Sequence, residues 1–220
     1  MSQTITVRGI GKASAKPDHV VLSMTLEAQN KNYEEATEEA ADQLEKIRNS
    51  LASVGFEKES LKTSQFNVRT DYKHVQDEGG GYRQEFVGYV VSHSLKLAFD
   101  LEPELLSQAL SQVTASLANP QIAIAFTVKD PTAINEELLR SAANNARRKA
   151  EVLCEASGVK LGQLHSINYN WEEMRLFSNT RYDIAEESMS MMAKSAPIDL
   201  EPEDIEVSDT AAFVWTIQPQ

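Results

Sequence analysis

The chain has few of the residues that disulfide-bonded, nucleic-acid-binding or membrane-bound proteins need. It has one cysteine, Cys154, in 220 residues. A single cysteine excludes an intramolecular disulfide and fits a reducing compartment. Lys and Arg number 21 against 33 Asp and Glu, a formal net charge of -12. Phosphate backbones and anionic lipid surfaces attract clustered bases, so we expect no nucleic-acid partner and no anionic-membrane partner.

Long apolar runs are also missing. No stretch approaches the ~18 apolar residues of a membrane helix, so we expect no membrane span. The first six residues, MSQTIT, lack the basic start and the apolar run of a secretory leader. These absences predict a cytoplasmic protein, although a chain trimmed at its start would look the same.

The glycine pair in Gly9-Ile10-Gly11-Lys12 raises the question of a phosphate-binding loop. Such a loop lies between a strand and a helix, because the helix N-terminus supplies amides and a favourable dipole. Here Pro17 and an alternating strand pattern follow, and no Ser or Thr comes directly after Lys12. We therefore interpret the glycines as residues of a turn or bulge, where they permit unusual backbone angles or close approach.

Hydrophobic periodicity predicts an α+β fold of about three helices packed on a largely antiparallel sheet. The predicted order is β-β-α-β-β-α-β-α-β-β, and we expect one domain over residues 1–220. The sequence DEGGGYRQ is typical of a hairpin tip. Strands are predicted near residues 3–9, 18–28, 61–72, 85–99, 121–129, 163–171 and 204–217, and helices near 33–54, 103–118 and 132–157.

The helix starts have recognisable signals. Asn32 can cap the first helix, and Asp130 can cap the third, with Pro131 in its first turn. Alanines on one face of the third helix would let it lie close to a sheet. Cys154 lies on this face, where a cysteine is usually an inert apolar residue. The predicted buried face comprises Leu139, Ala143, Ala146, Ala150, Leu153 and Cys154.

No catalytic or metal-binding group is visible. The four histidines do not have the spacing of metal ligands. His93 falls on an apolar strand face and is predicted to be a hydrogen-bonded core residue. Ser92 and Ser94 point to the opposite face, so a Ser/His relay is geometrically poor. We therefore predict no catalytic residue, no bound metal and no cofactor.

The region near residues 172–203 is the one candidate site. It is predicted to be mobile, and nine acids and one base lie in 183–209. Its thioethers could bind Cu(I), or they could pack against a partner or another subunit. Speculative ligand or interface residues are Trp171, Glu172, Met189, Met191 and Met192.

The sequence resembles the SIMPL-domain family, also called DUF541. The resemblance is carried by VRGIGKASAKPDHVVLSM, FVGYVVSHSLKLAF, LLRSAANNARRKAEVLCEASGVKLGQLHSINY and MSMMAKSAPIDLEPEDIEVSDTAAFVWTIQP. It implies likeness to periplasmic and surface immunogenic proteins linked to oxidative-stress tolerance. It also implies self-assembly and gives no catalytic residues to carry over. Many relatives have a secretion leader, and its absence here favours a cytoplasmic branch.

Three functions are therefore considered. The first is a non-enzymatic, self-assembling protein, with a stress-related role, that forms homo-oligomers through strand edges or residues 172–203. The second is a small-molecule or metal-binding protein that uses the neighbourhood of Trp171, Glu172 and Met191. The third is an uncharacterised hydrolase, which ranks last because no nucleophile, base and oxyanion site come together.

Overall fold

The computed structural model describes residues 3–76, 81–116, 118, 120–170, 174–184 and 201–219. In these ranges the predicted α+β fold and element order are confirmed, with one additional strand, Phe177–Ile184, that was not predicted. That strand is short and lies where the sequence has little periodicity. The elements are β1 (Thr4–Ala15), β2 (His19–Asn30), α1 (Tyr33–Ala52), β3 (Lys62–Gln76), β4 (Tyr82–Asp100), α2 (Pro103–Ala115), β5 (Gln121–Thr127), α3 (Thr132–Ala156), β6 (Val159–Asn168), β7 (Phe177–Ile184) and β8 (Ile205–Pro219).

The strands form two sheets. One has the order β1-β8-β6 and the other β3-β4-β2-β5-β7. β8 pairs antiparallel with β1 and with β6, and β4 pairs antiparallel with β2 and with β3. Because directly paired residues share a face, each sheet presents one face to its helices.

The chain divides into two compact units. The first combines Met1–Asp18, Thr127–Asn179 and Pro202–Gln220, and the second combines His19–Phe126 and Thr180–Glu201. In the first unit α3 packs on the three-stranded sheet. In the second, α1 and α2 bury the apolar face of β2 and β4. Whether the whole chain behaves as a single domain stays a prediction.

Gly9 and Gly11 correct the turn interpretation. Both lie inside β1 and face α3. A Cβ at Gly9 would collide with the carbonyl oxygen of Ala142 and come within 2.8 Å of the Cβ of Ala146. At Gly11 it would collide with the carbonyl oxygen of Leu138. The predicted turn is therefore wrong. The other predicted role of the glycines, close approach of the backbone to a neighbouring element, is what the structure shows.

The buried face of α3 differs in part from the prediction. Ala146, Ala150 and Cys154 are buried as expected, but Leu139 and Leu153 are 37% and 50% exposed. The small residues opposite Gly9 and Gly11 set which face packs, so Leu138 and Ala142 are buried in place of Leu139 and Ala143. The buried positions are Ile134, Leu138, Ala142, Ala146, Ala150 and Cys154.

The predicted capping groups and core histidine are in place. Asn32 Oδ1 accepts from Glu34 N at 2.9 Å, and Asp130 Oδ1 accepts from Thr132 N at 2.9 Å. α3 starts at Thr132, so Pro131 is the residue that precedes it. His93 is 7% exposed, and its Nε2 lies 2.8 Å from Thr63 Oγ1.

Candidate interaction surface

The β3–β4 hairpin extends beyond the strand that supports it. β4 pairs with β2 as far as Tyr89, which lies opposite Asn30. Beyond that pair β4 continues to Tyr82 with β3 as its partner. We call the part of the hairpin beyond the Tyr89–Asn30 pair, Asp71–Gln76 and Tyr82–Gly88, the arm. A two-stranded ribbon of this kind is marginally stable by itself.

A bulge and a glycine fix where the arm leaves the sheet. The register shifts between Asp71 and Tyr72, which pair with Gly88 and Phe86. A Cβ at Gly88 would lie 2.6 Å from the carbonyl oxygen of Asn30. The backbone therefore passes so close to the end of β2 that only glycine fits.

One face of the arm is aromatic. Tyr72 is paired with Phe86, and Tyr82 is paired with Gln76, so the three rings share a face. The centroids of Tyr72 and Phe86 are 5.7 Å apart, with the rings inclined at 67°. Tyr82, Tyr72 and Phe86 are 74%, 49% and 40% exposed. Rings of this size normally lie in cores or interfaces.

The aromatic row continues onto the first turn of α1. Phe86 contacts Tyr89 at a centroid distance of 5.3 Å, and Tyr89 contacts Tyr33 at 5.7 Å. Tyr33 is 51% exposed. We call Tyr33, Tyr72, Tyr82, Phe86 and Tyr89 the aromatic strip. Beside Tyr33 and Tyr89 lies a depression of about 570 Å³, which Asn30, Lys31, Asn32 and Glu35 complete.

The other face of the arm is charged. Lys73 Nζ lies 3.5 Å from Glu85 Oε2 across the two strands. At the base, Gln29 Nε2 donates to Asp71 Oδ2 at 2.9 Å. The arm therefore carries its rings on one face, together with His74, Gln76 and Gln84, and its charged side chains on the other.

The charge of the arm differs from that of the chain. Asp71 and Glu85 balance Lys73 and Arg83, whereas the chain as a whole carries -12. Asp77 and Glu78 between the two strands bring the hairpin to a net charge of -2, so two arms meet less repulsion than strongly acidic surfaces do.

The residues predicted as a site lie outside the described part of the chain. These are Trp171, Glu172, Met189, Met191 and Met192. Their interpretation as a ligand or interface site stays a prediction, as does the hydrolase alternative. Within the described residues, no three His, Cys, Asp or Glu side chains are grouped so that they could hold a metal ion.

Sequence reasoning missed the aromatic strip. The signal is that ring-bearing residues lie at even spacings on either side of the glycine-rich tip, at positions 72 and 74 and at 82 and 86. The local pattern predicts only a hairpin, because nothing local shows that β2 ends at Asn30 and leaves the arm unsupported.

Comparison with known sequences identifies the family. The SIMPL family, described as "Protein of unknown function (DUF541)", matches residues 5–215. This chain belongs to the SIMPL family. The resemblance expected from the sequence motifs is therefore confirmed.

Two curated relatives of this SIMPL protein carry the same name. The "26 kDa periplasmic immunogenic protein" of Brucella melitensis biotype 1 is 27% identical over 164 residues, which are 74% of this chain and 65% of the relative. The protein of that name from Brucella abortus strain S19 is 26% identical over the same shares. The chain thus spans about two thirds of the length of these relatives. Neither name states an enzymatic activity.

The relatives correct the predicted location. Both are named periplasmic, so the cytoplasmic prediction is wrong. It depended on the first residues and on the single cysteine. The beginning of a sequence does not fix its compartment, and one thiol cannot form an intramolecular disulfide in any compartment. In the described ranges, none of the helices is both long and apolar enough to cross a bilayer.

Proposed function

We propose that this SIMPL protein is a non-enzymatic, self-assembling protein of the periplasm, and that copies of the chain meet through the aromatic strip. The observation that carries the proposal is the exposure of Tyr72, Tyr82 and Phe86 on one face of a two-stranded arm. The periplasmic location is inferred from the names of the relatives. A stress-related role stays a prediction.

The energetic argument starts from the exposed rings. An aromatic side chain buries roughly 150–250 Å² when it is covered, and each Å² of apolar surface is worth about 25 cal/mol. Covering the exposed half of one ring therefore contributes roughly 2 kcal/mol. Aromatic residues near the centre of a patch are also the residues that dominate binding energy at protein interfaces.

A second copy of the chain is the occupant that the charges favour. In the two strands of the arm Asp71 and Glu85 balance Lys73 and Arg83, whereas the chain as a whole is strongly acidic. Within the described residues β3 also pairs with β4 alone, so its other edge is open. An open edge next to an aromatic face of low net charge suits a symmetric contact in which the same patch is used twice.

The native mass of the full chain tests the proposal. We expect light scattering behind size exclusion to show one defined oligomer over a range of concentrations. The double variant Tyr72→Ser/Phe86→Ser removes two rings of the strip and should shift the mass to that of the monomer. The matched control Lys73→Ser/Glu85→Ser changes the opposite face of the same strands and should keep the mass of the parent.

The outcomes separate the possible contacts. A parent chain that is monomeric at every concentration would sink the proposal. Deleting residues 183–196 distinguishes the acidic segment from the arm. If the deletion changes the mass and the ring variants do not, copies meet through that segment and the assignment to the arm is wrong.

A further inference from the structure

α3 covers part of the free edge of β1 with a row of polar side chains. β1 is an edge strand of the three-stranded sheet. The N–H of Lys12 donates to Ser141 Oγ at 3.1 Å, and the N–H of Ile10 donates to Asn145 Oδ1 at 3.0 Å. Lys149 Nζ donates to the carbonyl oxygen of Arg8 at 3.2 Å. The even-numbered residues of β1 are therefore the ones whose backbone N–H and C=O groups point outward, away from β8.

The row follows from matching repeats in the two elements. Ser141, Asn145 and Lys149 are four residues apart, which is about 6 Å along a helix. The β1 residues that they contact are two apart, which is about 6.6 Å along a strand. The helix and the strand run in opposite directions, so the next helical position, Leu153, corresponds to Thr6.

Leu153 cannot continue the row. Its side chain has no hydrogen-bonding group and is 50% exposed. In the part of the chain that the structure describes, no side chain bonds to the outward backbone groups of Thr6. An edge with unpaired N–H and C=O groups is a template for another strand. The free stretch of β1 therefore begins where the polar row ends.

A groove lies beside this stretch. It has a volume of about 480 Å³, and its apolar side is formed by Val7, Val152 and Leu153. Val152 is 58% exposed. Arg148 and Lys149 line the same groove. Among the described residues Arg148 has no ion pair, and Lys149 uses one of its three N–H donors on Arg8.

We propose that this groove binds a short, extended peptide segment that adds to β1 as a strand. Backbone hydrogen bonds to Thr6 and to the N–H of Arg8 hold the segment. An apolar side chain of the segment packs on Val152 and Leu153, and a carboxylate of the segment pairs with Arg148 and Lys149. Strand addition with pockets for alternate side chains is an established mode of peptide recognition.

The length of the free edge favours a short peptide over the sheet edge of a second copy. The open stretch ends at the N–H of Arg8, because Lys149, Asn145 and Ser141 bond to the edge from the carbonyl oxygen of Arg8 to Lys12. A long strand laid along β1 would meet these side chains. The two cations favour a segment that carries negative charge.

Amide signals in an NMR titration of the full chain test the proposal. The probes are N-acetylated pentapeptides with valine or leucine at alternate positions and a free carboxyl terminus, each paired with its C-terminal amide. We expect the free acids to shift the amide signals of Thr6 and Arg8 and to slow their hydrogen exchange. The peptides with a C-terminal amide should bind about threefold to tenfold more weakly, because they lack the negative charge that Arg148 attracts.

Two variants on α3 separate docking from loss of structure. Leu153→Lys should weaken binding by about tenfold or more, since a lysine there extends the polar row to Thr6. Leu139→Lys introduces the same residue at another exposed leucine of α3, outside the groove, and should bind like the parent.

Three results would overturn the proposal. One is that no peptide in the set shifts the Thr6 signal. Another is that both lysine variants lose binding equally. A third concerns the protein without peptide. If the Thr6 signal broadens with protein concentration and Leu153→Lys removes this broadening, the groove is assigned to a second copy.

Discussion

Gly9 of β1 faces Ala142 of α3 with no room for a side-chain carbon between them. A Cβ at position 9 would collide with the backbone of Ala142 as well as with the Cβ of Ala146. Backbone atoms cannot move aside as the tip of a flexible side chain can. The helix therefore packs on β1 at a distance that only glycine on one side and alanine on the other allow.

Gly9→Ala should destabilise the first unit. The added methyl group forces α3 away from β1, and overpacking of this kind costs roughly 1–3 kcal/mol. We expect a loss of roughly 2–12 °C in the midpoint of thermal unfolding, measured by circular dichroism. Gly81→Ala is the matched control, because nothing lies within 4 Å of a Cβ there and its φ is not positive. Equal midpoints for the two variants would contradict the packing argument.

The same contact shows what the sequence could and could not predict. Periodicity located the helices and most strands because each of these is a local pattern. A glycine inside a strand and a glycine in a turn look alike locally, and the partner that distinguishes them, Ala142, is distant in sequence. Leu138 and Leu139 are both apolar, so the sequence left the packed face of α3 uncertain by one position.

The candidate surfaces depend on non-local facts. The aromatic strip is exposed because β2 ends at Asn30, and the groove beside Thr6 is open because Leu153 follows Lys149 at helical spacing. Neither relationship is visible until strand register and helix orientation are known. The predicted site at Trp171 and Glu172 lies outside the described residues and stays a prediction.

His93 should make stability fall as the solution is acidified. Burial lowers the pKa of His93 below its ordinary value of 6.5, and the positive charge of Arg48 acts in the same direction. Below pH 6.5 the unfolded chain therefore takes up a proton that the folded protein does not. The free energy of unfolding falls, by at most about 1.4 kcal/mol per pH unit from this group, until the pH is below the folded-state pKa.

His93→Gln removes this contribution and can keep a hydrogen bond to Thr63. Urea unfolding at pH 7.5, 6.5 and 5.5 should give a shallower decline for the variant than for the parent. His165→Gln, at an exposed position, controls for the loss of a histidine as such. Parallel curves for the parent and His93→Gln would show that burial of His93 does not set the acid response.

The polar row on β1 predicts residue-specific hydrogen exchange. Asn145→Ala should speed exchange of the Ile10 amide, and Ser141→Ala should speed that of Lys12, because each loses its acceptor. Each variant is the control for the other in an NMR exchange series. Faster exchange at both amides in either variant would mean that the strand edge opens as a unit and that the side chains do not protect it one by one.

Cys154 should be unreactive until α3 leaves the sheet. Its side chain is 2% exposed on the buried face of the helix, so Ellman's reagent should label the native protein only through transient opening. Leu153→Cys/Cys154→Ser places the thiol one residue earlier, at an exposed position, and should react at once. Native Cys154 reacting as fast as this control would contradict the burial.

The slow reaction also measures how α3 opens. When opening and closing are fast, the labelling rate of Cys154 relative to the exposed thiol gives the free energy of opening. Gly9→Ala weakens the contact that holds α3 on β1 and should raise that rate. A faster reaction with an unchanged global free energy of unfolding would identify local detachment of α3. A rate that follows global stability would show that α3 and its sheet open together.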